Sequence, residues 1–285
     1  MPVLFIDRLE DPRLQPYRQL KTAQTLRGGE LFVAEGSKVV ARLLDSSYRV
    51  DSILLSEKRW PAWQQRIPSD IPVYVVPQDL GAMLVGFNFH VGVMACGRRQ
   101  PSPRWESLPV LQRPTWLIVA CERCEDPENL GAILRLCGGF GVSAVVLGPG
   151  SCDPFSRRVL RVSMGASLFL PIIETHDLNQ TLQHVRQKYG ARLAATVLDQ
   201  QAEPLSGSRR SARWVLVLGN EHAGLSPSLI AQCDCRVTIP MSAAVDSLNV
   251  AVAAGIFLYH YTQGSGMLEP ETICQTSPVA PEPSR

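Results

Sequence analysis

The chain has 285 residues and carries 28 lysines and arginines against 26 aspartates and glutamates, which gives a formal net charge of +2. Apolar residues make up 45% of it and charged residues 19%, so the chain can build full cores, which excludes a disordered or fibrous protein. The near-neutral charge excludes a strongly basic nucleic-acid-binding chain, although a local basic patch can still bind RNA.

No segment is predicted to cross a membrane. The longest apolar run, Val250 to Tyr259, is far shorter than the roughly 20 residues that a membrane-spanning helix needs. The N-terminal segment does not have the pattern of a signal peptide, so we expect a cytoplasmic protein. Eight cysteines are too few for a disulfide scaffold. The pairs Cys121/Cys124 and Cys233/Cys235 lie too far apart to favour a structural zinc site, and we predict no bound metal.

Residues 1–98 alternate β-rich and helical segments and predict a small α/β domain. The strand candidates are LFVAE, VDSILLS, PVYVV and HVGVMAC, and the helix candidates are Ser37 to Asp45 and Gln78 to Leu84. A proline-rich stretch without periodicity predicts a linker at 99–113. At the end of the chain, residues 264–285 are rich in Pro, Ser and Glu and predict a disordered tail.

Residues 114–263 predict a second, larger α/β domain. The runs TWLIVA, VSAVVLG, LFLPIIE, RLAATVL, RWVLVLG and RVTIP are apolar on both faces, and amphipathic segments separate most of them. Strands of this kind favour a mostly parallel sheet that helices cover on two sides. Ligands of such sheets bind at the carboxyl ends of the strands, so the loops that follow these runs are the candidate functional loops.

The common cofactor and hydrolase motifs are absent from the sequence. There is no GxxxxGK[ST] and no GxGxxG after a strand, which argues against an ATP-binding loop and a dinucleotide-dependent dehydrogenase. The five histidines are scattered and form no HExxH or spaced triad. Metal-dependent hydrolysis and serine hydrolase chemistry are therefore disfavoured.

The first candidate loop is CERCEDPENLGAILR. Asp126 and Pro127 predict a helix start, and a stripe of apolar residues follows at helical spacing. Arg135 points away from that stripe, with Gly131 and Gly138 on its face. This arrangement would let a phosphate approach the guanidinium. Alternatively, the glycines serve helix packing and Arg135 is a solvated charge.

The second and third loops follow the runs RWVLVLG and RVTIP. In the second, two glycines would let the backbone approach a ligand, and Glu221 could orient an arginine or an asparagine, or simply be a solvated turn residue. Ser226 and Pro227 predict the start of a short helix. In the third, Ser247 is the predicted N-cap of an apolar helix, with Asn249 in its first turn.

Three segments, DPENLGAILRLCGGFGV, VLGNEHAGLS and IPMSAAVDSLNVAVAAGIFLY, resemble the ordered motifs of the SpoU/TrmH branch of the SPOUT RNA methyltransferases. The resemblance covers about 115–261. It implies a SPOUT-type, mostly parallel sheet with a C-terminal trefoil knot, and S-adenosyl-L-methionine bound in the knot loops. The first domain is similar, more loosely, to the RNA-binding substrate domain that precedes the catalytic domain in many members.

The resemblance also implies the site residues. The catalytic positions would be Asn129, Arg135, Glu221, Ser247 and Asn249. The cofactor would contact the backbone around Thr196 to Leu198, Leu218 to Gly219, Ile239 to Met241, and Leu248.

The implied reaction is methyl transfer to a ribose 2′-hydroxyl of RNA, with rRNA as the substrate by analogy with the family. Positioning alone can lower such a barrier by roughly 7–11 kcal/mol. A guanidinium is a poor free base, so we hypothesise that Arg135 holds the adjacent phosphate and polarises the hydroxyl while Asn129 and Glu221 orient it. A tRNA 2′-O-methyltransferase, a base methyltransferase and a catalytically silent RNA-binding protein are the alternatives.

Two kinds of partner are predicted besides the cofactor. The apolar last helix and the family both imply a homodimer whose active site is completed near the interface. Several basic residues of the first domain either contact RNA or form solvated helix faces balanced by nearby acids. These residues are Arg8, Arg13, Arg18, Lys21, Arg27, Lys38 and Arg42.

Overall fold

The computed structural model describes residues 3–18, 29–242 and 247–263. The predicted tail at 264–285 lies outside the described residues, as do Lys21 and Arg27. No helix in the described part of the chain is long and apolar enough to span a bilayer.

The first unit is a five-stranded mixed sheet with helices on both faces. The strand order is β1-β4-β3-β5-β2, and β5 runs antiparallel to both of its neighbours. The predicted small α/β arrangement is present. The sequence analysis misses the first strand and the second helix, because each has too few residues to show a periodic pattern. The elements are β1 (Val3–Phe5), β2 (Leu31–Glu35), α1 (Ser37–Leu44), β3 (Val50–Ser56), α2 (Trp60–Trp63), β4 (Val73–Val76), α3 (Gln78–Val85) and β5 (Val93–Arg98).

The second unit is a seven-stranded sheet in the order β10-β12-β9-β11-β6-β7-β8. Every neighbouring pair is parallel, which confirms the predicted α/β fold with a mostly parallel sheet. The trefoil knot stays a prediction. The elements are β6 (Trp116–Cys121), α4 (Pro127–Gly139), β7 (Ala144–Leu147), α5 (Arg157–Val162), β8 (Ile172–Glu174), α6 (Leu178–Tyr189), β9 (Arg192–Thr196), β10 (Glu203–Pro204), β11 (Arg213–Leu218), α7 (Pro227–Gln232), β12 (Cys235–Thr238) and α8 (Val250–Thr262).

Both faces of this second sheet are buried, as its apolar strands require. Leu117 and Val119 of β6 lie in a core with residues of α4, α5 and α8. The alternate residues Trp116 and Ile118 lie in a second core with residues of α6 and α7. The two helix layers leave the carboxyl edge of the sheet to the loops.

Side chains fix the starts of the helices around those loops. Asp126 caps α4 by accepting a hydrogen bond from the Glu128 N–H at 2.8 Å, and Ser226 caps α7, as predicted. The predicted cap of α8 is wrong. Asn249, not Ser247, is the N-cap, because its Oδ1 accepts from the N–H groups of Ala251 and Val252.

The bare face predicted around Arg135 is also wrong at Gly131. A Cβ built on Gly131 would lie 2.6 Å from the Cβ of Val162 and 3.2 Å from the Val159 carbonyl oxygen. Gly131 therefore serves close packing of α4 on α5, which was the alternative interpretation. At Gly138 the nearest atom to such a Cβ is the Cβ of Ala166 at 3.5 Å, an ordinary contact.

The two units pack directly against each other through the segment around α5. Phe155, only 9% exposed, lies in the core of the first unit, with its ring centroid 5.4 Å from those of both Phe32 and Tyr48. The buried carboxylate of Glu35 accepts a hydrogen bond from Arg157 at 2.5 Å. The predicted linker thus joins two units that share apolar and ionic contacts.

Candidate active site

Three loops meet at the carboxyl edge of the second sheet. They follow β6, β11 and β12, and they are the loops that the sequence singles out. β11 lies between β6 and β9, with β12 next to β9, so the strand order places the three loops side by side.

Glu221 is the centre of a hydrogen-bond network between the first two loops. Its Oε1 accepts from Asn129 Nδ2 at 3.1 Å, from the Asp126 N–H at 3.4 Å and from the Cys124 thiol at 3.6 Å. Its Oε2 accepts from Asn220 Nδ2 at 3.3 Å. One carboxylate therefore holds both the loop after β6 and the start of α4.

Asn129 extends this network to the third loop. Its side chain is 7% exposed, and its Oδ1 accepts from Asn249 Nδ2 at 2.8 Å while its Nδ2 donates to Glu221. Only one orientation of the Asn129 amide serves both partners, since a carboxylate accepts and does not donate. The structure thus brings Glu221, Asn129 and Asn249 together in one chain of hydrogen bonds.

Glu221 is ionised at neutral pH. Partial burial opposes its ionisation, but hydrogen bonds from its own N–H and from Asn129 and Asp126 outweigh that effect and lower the pKa. A carboxylate of lowered pKa is a weaker base than an ordinary glutamate. What the geometry shows is that Glu221 holds the first two loops together.

Asn220 is a residue that the sequence analysis did not identify. It is 7% exposed, donates to the Arg123 carbonyl at 2.8 Å, and its Oδ1 accepts from the N–H groups of His222 and Ala223 at 3.0 Å. An asparagine two residues after a strand and three residues before an Ala-Gly pair is the pattern that could have indicated it.

The two glycines of the second loop shape the turn itself. A Cβ on Gly219 would lie 2.5 Å from the carbonyl carbon of Gly224, and Gly224 has a φ of +67°. The expectation that both glycines let the backbone approach a ligand stays a prediction, and the structure gives the glycines a further reason. They allow the Asn220–Gly224 bridge to close and so aim Glu221 at the first loop.

Arg135 lies apart from this network. It is exposed and forms no hydrogen bond or ion pair within the described ranges. It follows Asn129 by six residues on α4, a rise of about 9 Å. Arg135 lines an open groove between α4 and α8, together with Val252, Ile256 and Tyr259 of α8. In this structure Glu221 and Asn129 hold each other and not Arg135.

The residues predicted to contact a cofactor surround the ends of β9, β11 and β12. Among the described residues, no acceptor is present for the backbone N–H groups of Leu198, Gly219 and Met241. Leu198 is 67% exposed, an unusual state for a large apolar side chain. This set of unpaired N–H donors and apolar surface suits a ligand with an acceptor-rich ring and an apolar body.

The remaining predicted residues are placed as follows. Thr196 donates its hydroxyl to the Val217 carbonyl at 2.9 Å, and the Leu218 carbonyl accepts from Glu122. Ile239 and Leu248 are half-buried beside the third loop, and Ser247 is exposed.

The cysteines near the site are buried thiols. Burial raises the pKa of Cys121 to about 12 and also raises that of Cys124. The described residues contain no cluster of three or more His, Cys, Asp or Glu side chains that could hold a metal ion.

Comparison with known proteins defines the class. The profile of the SpoU rRNA Methylase family matches residues 116–259, which include all three loops. The chain therefore belongs to the SpoU rRNA methylase family.

Relatives and solved structures are similar to this chain over most of its length. An uncharacterized tRNA/rRNA methyltransferase of Mycobacterium bovis is 33% identical, covering 92% of this chain and 93% of its own. The 23S rRNA (guanosine-2′-O-)-methyltransferase RlmB of Acinetobacter baylyi is 33% identical, covering 67% and 78%. The crystal structure of the AdoMet-bound rRNA methyltransferase from Sinorhizobium meliloti superposes with a TM-score of 0.76 at 26% identity, covering 90% and 97%.

Proposed function

We propose that this protein is an S-adenosyl-L-methionine-dependent RNA 2′-O-ribose methyltransferase that acts on rRNA in the cytoplasm. The observation that carries the proposal is the hydrogen-bond chain from Glu221 through Asn129 to Asn249, which joins the three family motifs at one edge of the sheet. The names of the relatives support the reaction. One relative is a 23S rRNA (guanosine-2′-O-)-methyltransferase, and the crystal structure of another, an rRNA methyltransferase, contains bound AdoMet.

The cofactor fits the residues at this edge. The N–H groups of Leu198, Gly219 and Met241 would hold the adenine and ribose acceptors, and Leu248 would contact the apolar parts. When bound, the cofactor supplies an electrophilic methyl group on a sulfonium. Transfer of that methyl to a hydroxyl needs in-line placement of the two, which a rigid set of loops provides.

The side chains of this protein would then position the RNA and handle the proton. Arg135 has no protein partner in the described residues, so its guanidinium is free to bind the phosphate beside the target ribose and to polarise the 2′-hydroxyl. The phosphate, or a transiently neutral Arg135, would take the hydroxyl proton as the oxygen–methyl bond forms and the bond from the methyl carbon to the sulfonium sulfur breaks. Asn129, Glu221 and Asn249 fix the relation between α4, which carries Arg135, and the cofactor loops.

We further propose a homodimer through the groove between α4 and α8. Val252, Ile256 and Tyr259 of α8 are 54%, 39% and 59% exposed, and they surround Arg135. A second copy would cover this apolar surface and would place its own candidate active site next to Arg135. Sedimentation of the protein at micromolar concentration tests the proposal, and a monomer contradicts it.

The experiment that tests the function is transfer of labelled methyl from S-adenosyl-L-methionine to total RNA. Label in rRNA that survives alkaline hydrolysis as a 2′-O-methylated dinucleotide is the expected result. Label in tRNA alone would assign the alternative substrate, and label in a base would contradict ribose methylation. RNA binding without any label would identify a catalytically silent protein. Arg135→Ala should keep its fold and lose transfer.

A further inference from the structure

A second candidate surface lies in an open cleft of about 370 Å³ between the two units. One wall is formed by the end of β2 and the start of α1, with Lys38. The loop before β5 contributes His90, and the opposite wall is α5 and the turn after it, with Arg161 and Met164. None of these residues takes part in the network around Glu221.

The cleft carries an excess of positive charge. Lys38 is exposed and has no partner in the described part of the chain. Arg161, with 45% of its side chain exposed, lies 3.9 Å from the carboxylate of Glu35, which Arg157 already holds at 2.5 Å. The lining thus carries two cations, Lys38 and Arg161, and one carboxylate that Arg157 already pairs with, and a concave surface focuses the field of the excess charge.

The wall of the cleft that contains Met164 is held in a strained conformation. Met164 has a φ of +55°, and its carbonyl accepts a hydrogen bond from Arg42 of the first unit at 3.0 Å. Among the non-glycine residues that the structure describes, only Arg123 shares a positive φ, and Arg123 lies in the first loop of the candidate active site. Strained residues of this kind concentrate at functional sites.

The cleft and the groove that contains Arg135 lie on neighbouring sides of α5. Arg161 lines the cleft, and the next residue, Val162, lines the groove. The width of α5 therefore separates the two surfaces. Because polymeric RNA carries a phosphate at every nucleotide, a strand whose target ribose lies near Arg135 can extend over α5 and place another phosphate in the cleft.

We propose that this cleft binds the backbone of the substrate RNA, with Lys38 and Arg161 contacting phosphates away from the methylated nucleotide. The inference rests on the proposed function for the identity of the polymer. It assigns affinity for RNA to the junction of the two units and leaves the chemical step to the loops of the second unit.

The test measures binding of the full-length protein to purified 23S rRNA over a range of salt concentrations. The logarithm of the affinity falls linearly with the logarithm of the salt concentration, and each lost phosphate contact should make that slope shallower by about 0.7–0.9. Lys38→Ala should therefore weaken binding about 3- to 10-fold at moderate salt. Lys38→Glu should weaken it more, whereas Arg66→Glu, an exposed site of the same unit away from the cleft, should have little effect.

Kinetics separate this inference from the proposed function. With methylation active, Lys38→Ala should raise KM for RNA and leave kcat at saturating RNA unchanged. Unchanged affinity and salt slope in both Lys38 variants, with their folds intact, would overturn the inference even if methylation occurs. Conversely, loss of binding in the Lys38 variants with no methylation by the wild-type protein would overturn the proposed function alone.

Discussion

Asn129 is the side chain on which the site depends most. It is buried and serves as donor to Glu221 and acceptor for Asn249, so Asn129→Ala leaves both partners unsatisfied. We expect the free energy of unfolding to fall by about 1–3 kcal/mol and methyl transfer to be lost. Urea denaturation and labelled-methyl transfer measure the two effects. Asn88→Ala, at an exposed position, is the control, and an active Asn129→Ala variant would contradict this role.

The lowered pKa of Glu221 predicts an acid-sensitive site. Its folded-state pKa lies below the ordinary value of 4.5, so its stabilising contribution is present above that value and is lost as the pH falls through the folded-state pKa. Glu221→Gln should therefore lose less stability than the wild type between pH 7 and strongly acidic pH. Urea midpoints at the two pH values provide the measurement. An equal loss in both proteins would contradict the assignment.

The sequence predicts which residue types reach the site but not which atoms meet. Glu221 and Asn129 both follow strands of one sheet, so their proximity follows from the parallel order. Their bond to each other could not be predicted, because it depends on how the Asn220–Gly224 turn aims the carboxylate. The structure shows no direct bond from either residue to Arg135 among the described residues, so the hypothesis that both orient Arg135 stays a prediction of an indirect effect through α4.

The start of α8 combines two roles in one side chain, and substitutions separate them. Asn249 Oδ1 caps the helix while Nδ2 donates to Asn129. Asn249→Ala should lower the free energy of unfolding by about 1 kcal/mol. Asn249→Asp keeps the capping acceptor, so its stability should stay near that of the wild type. Both variants lose the bond to Asn129 and should lose methyl transfer. Thermal denaturation and the transfer assay distinguish the roles, and a fully active Asn249→Asp would refute the second.

The contact of α4 with α5 predicts opposite outcomes at two glycines. Gly131→Ala would place a Cβ 2.6 Å from Val162, and such overpacking costs about 1–3 kcal/mol. Gly138→Ala meets only Ala166 at 3.5 Å and should be neutral or stabilise the helix by up to about 1 kcal/mol. Chemical denaturation of the two variants provides the comparison. Equal effects would mean that the helices do not pack this closely in solution.

Helices with local signals were predictable from the sequence. Asp126-Pro127 and Ser226-Pro227 mark the starts of α4 and α7 by side chains within one turn. The sequence predicts the start of α8 two residues early because serine and asparagine are both good caps. The structure distinguishes them, since Asn249 Oδ1 accepts from the N–H groups of Ala251 and Val252 while its Nδ2 donates to Asn129, 120 residues away in sequence.

At the scale of the whole molecule, Phe155 predicts that the two units unfold together. Its ring lies in the core of the first unit, while its backbone belongs to the second unit. Phe155→Ala should lower stability by about 3–5 kcal/mol and split one calorimetric transition into two. Phe5→Ala, at a 67% exposed ring, is the matched control. Two transitions in the wild-type protein would show that the interface is weaker than its contacts indicate.

Composition predicts domain boundaries, but it does not predict the contact between the units. The proline-rich stretch at 99–113 indicates a linker whatever the flanking units do. The pairing of Arg157 with Glu35 joins residues 122 positions apart, and both read in sequence as ordinary surface charges.

The strand order also determines when each unit can fold during synthesis. The first sheet is complete once β5 has left the ribosome, since all five of its strands precede Arg98. β6 must instead wait for β11, which is made roughly one hundred residues later, before its second edge is paired. A nascent chain of this protein can therefore pair the strands of its first sheet before Phe155, which fills the core of that unit, has been made. It also carries an open apolar strand for several seconds at ordinary elongation rates. During that interval the unpaired strand makes the second unit the part of the chain more prone to aggregation.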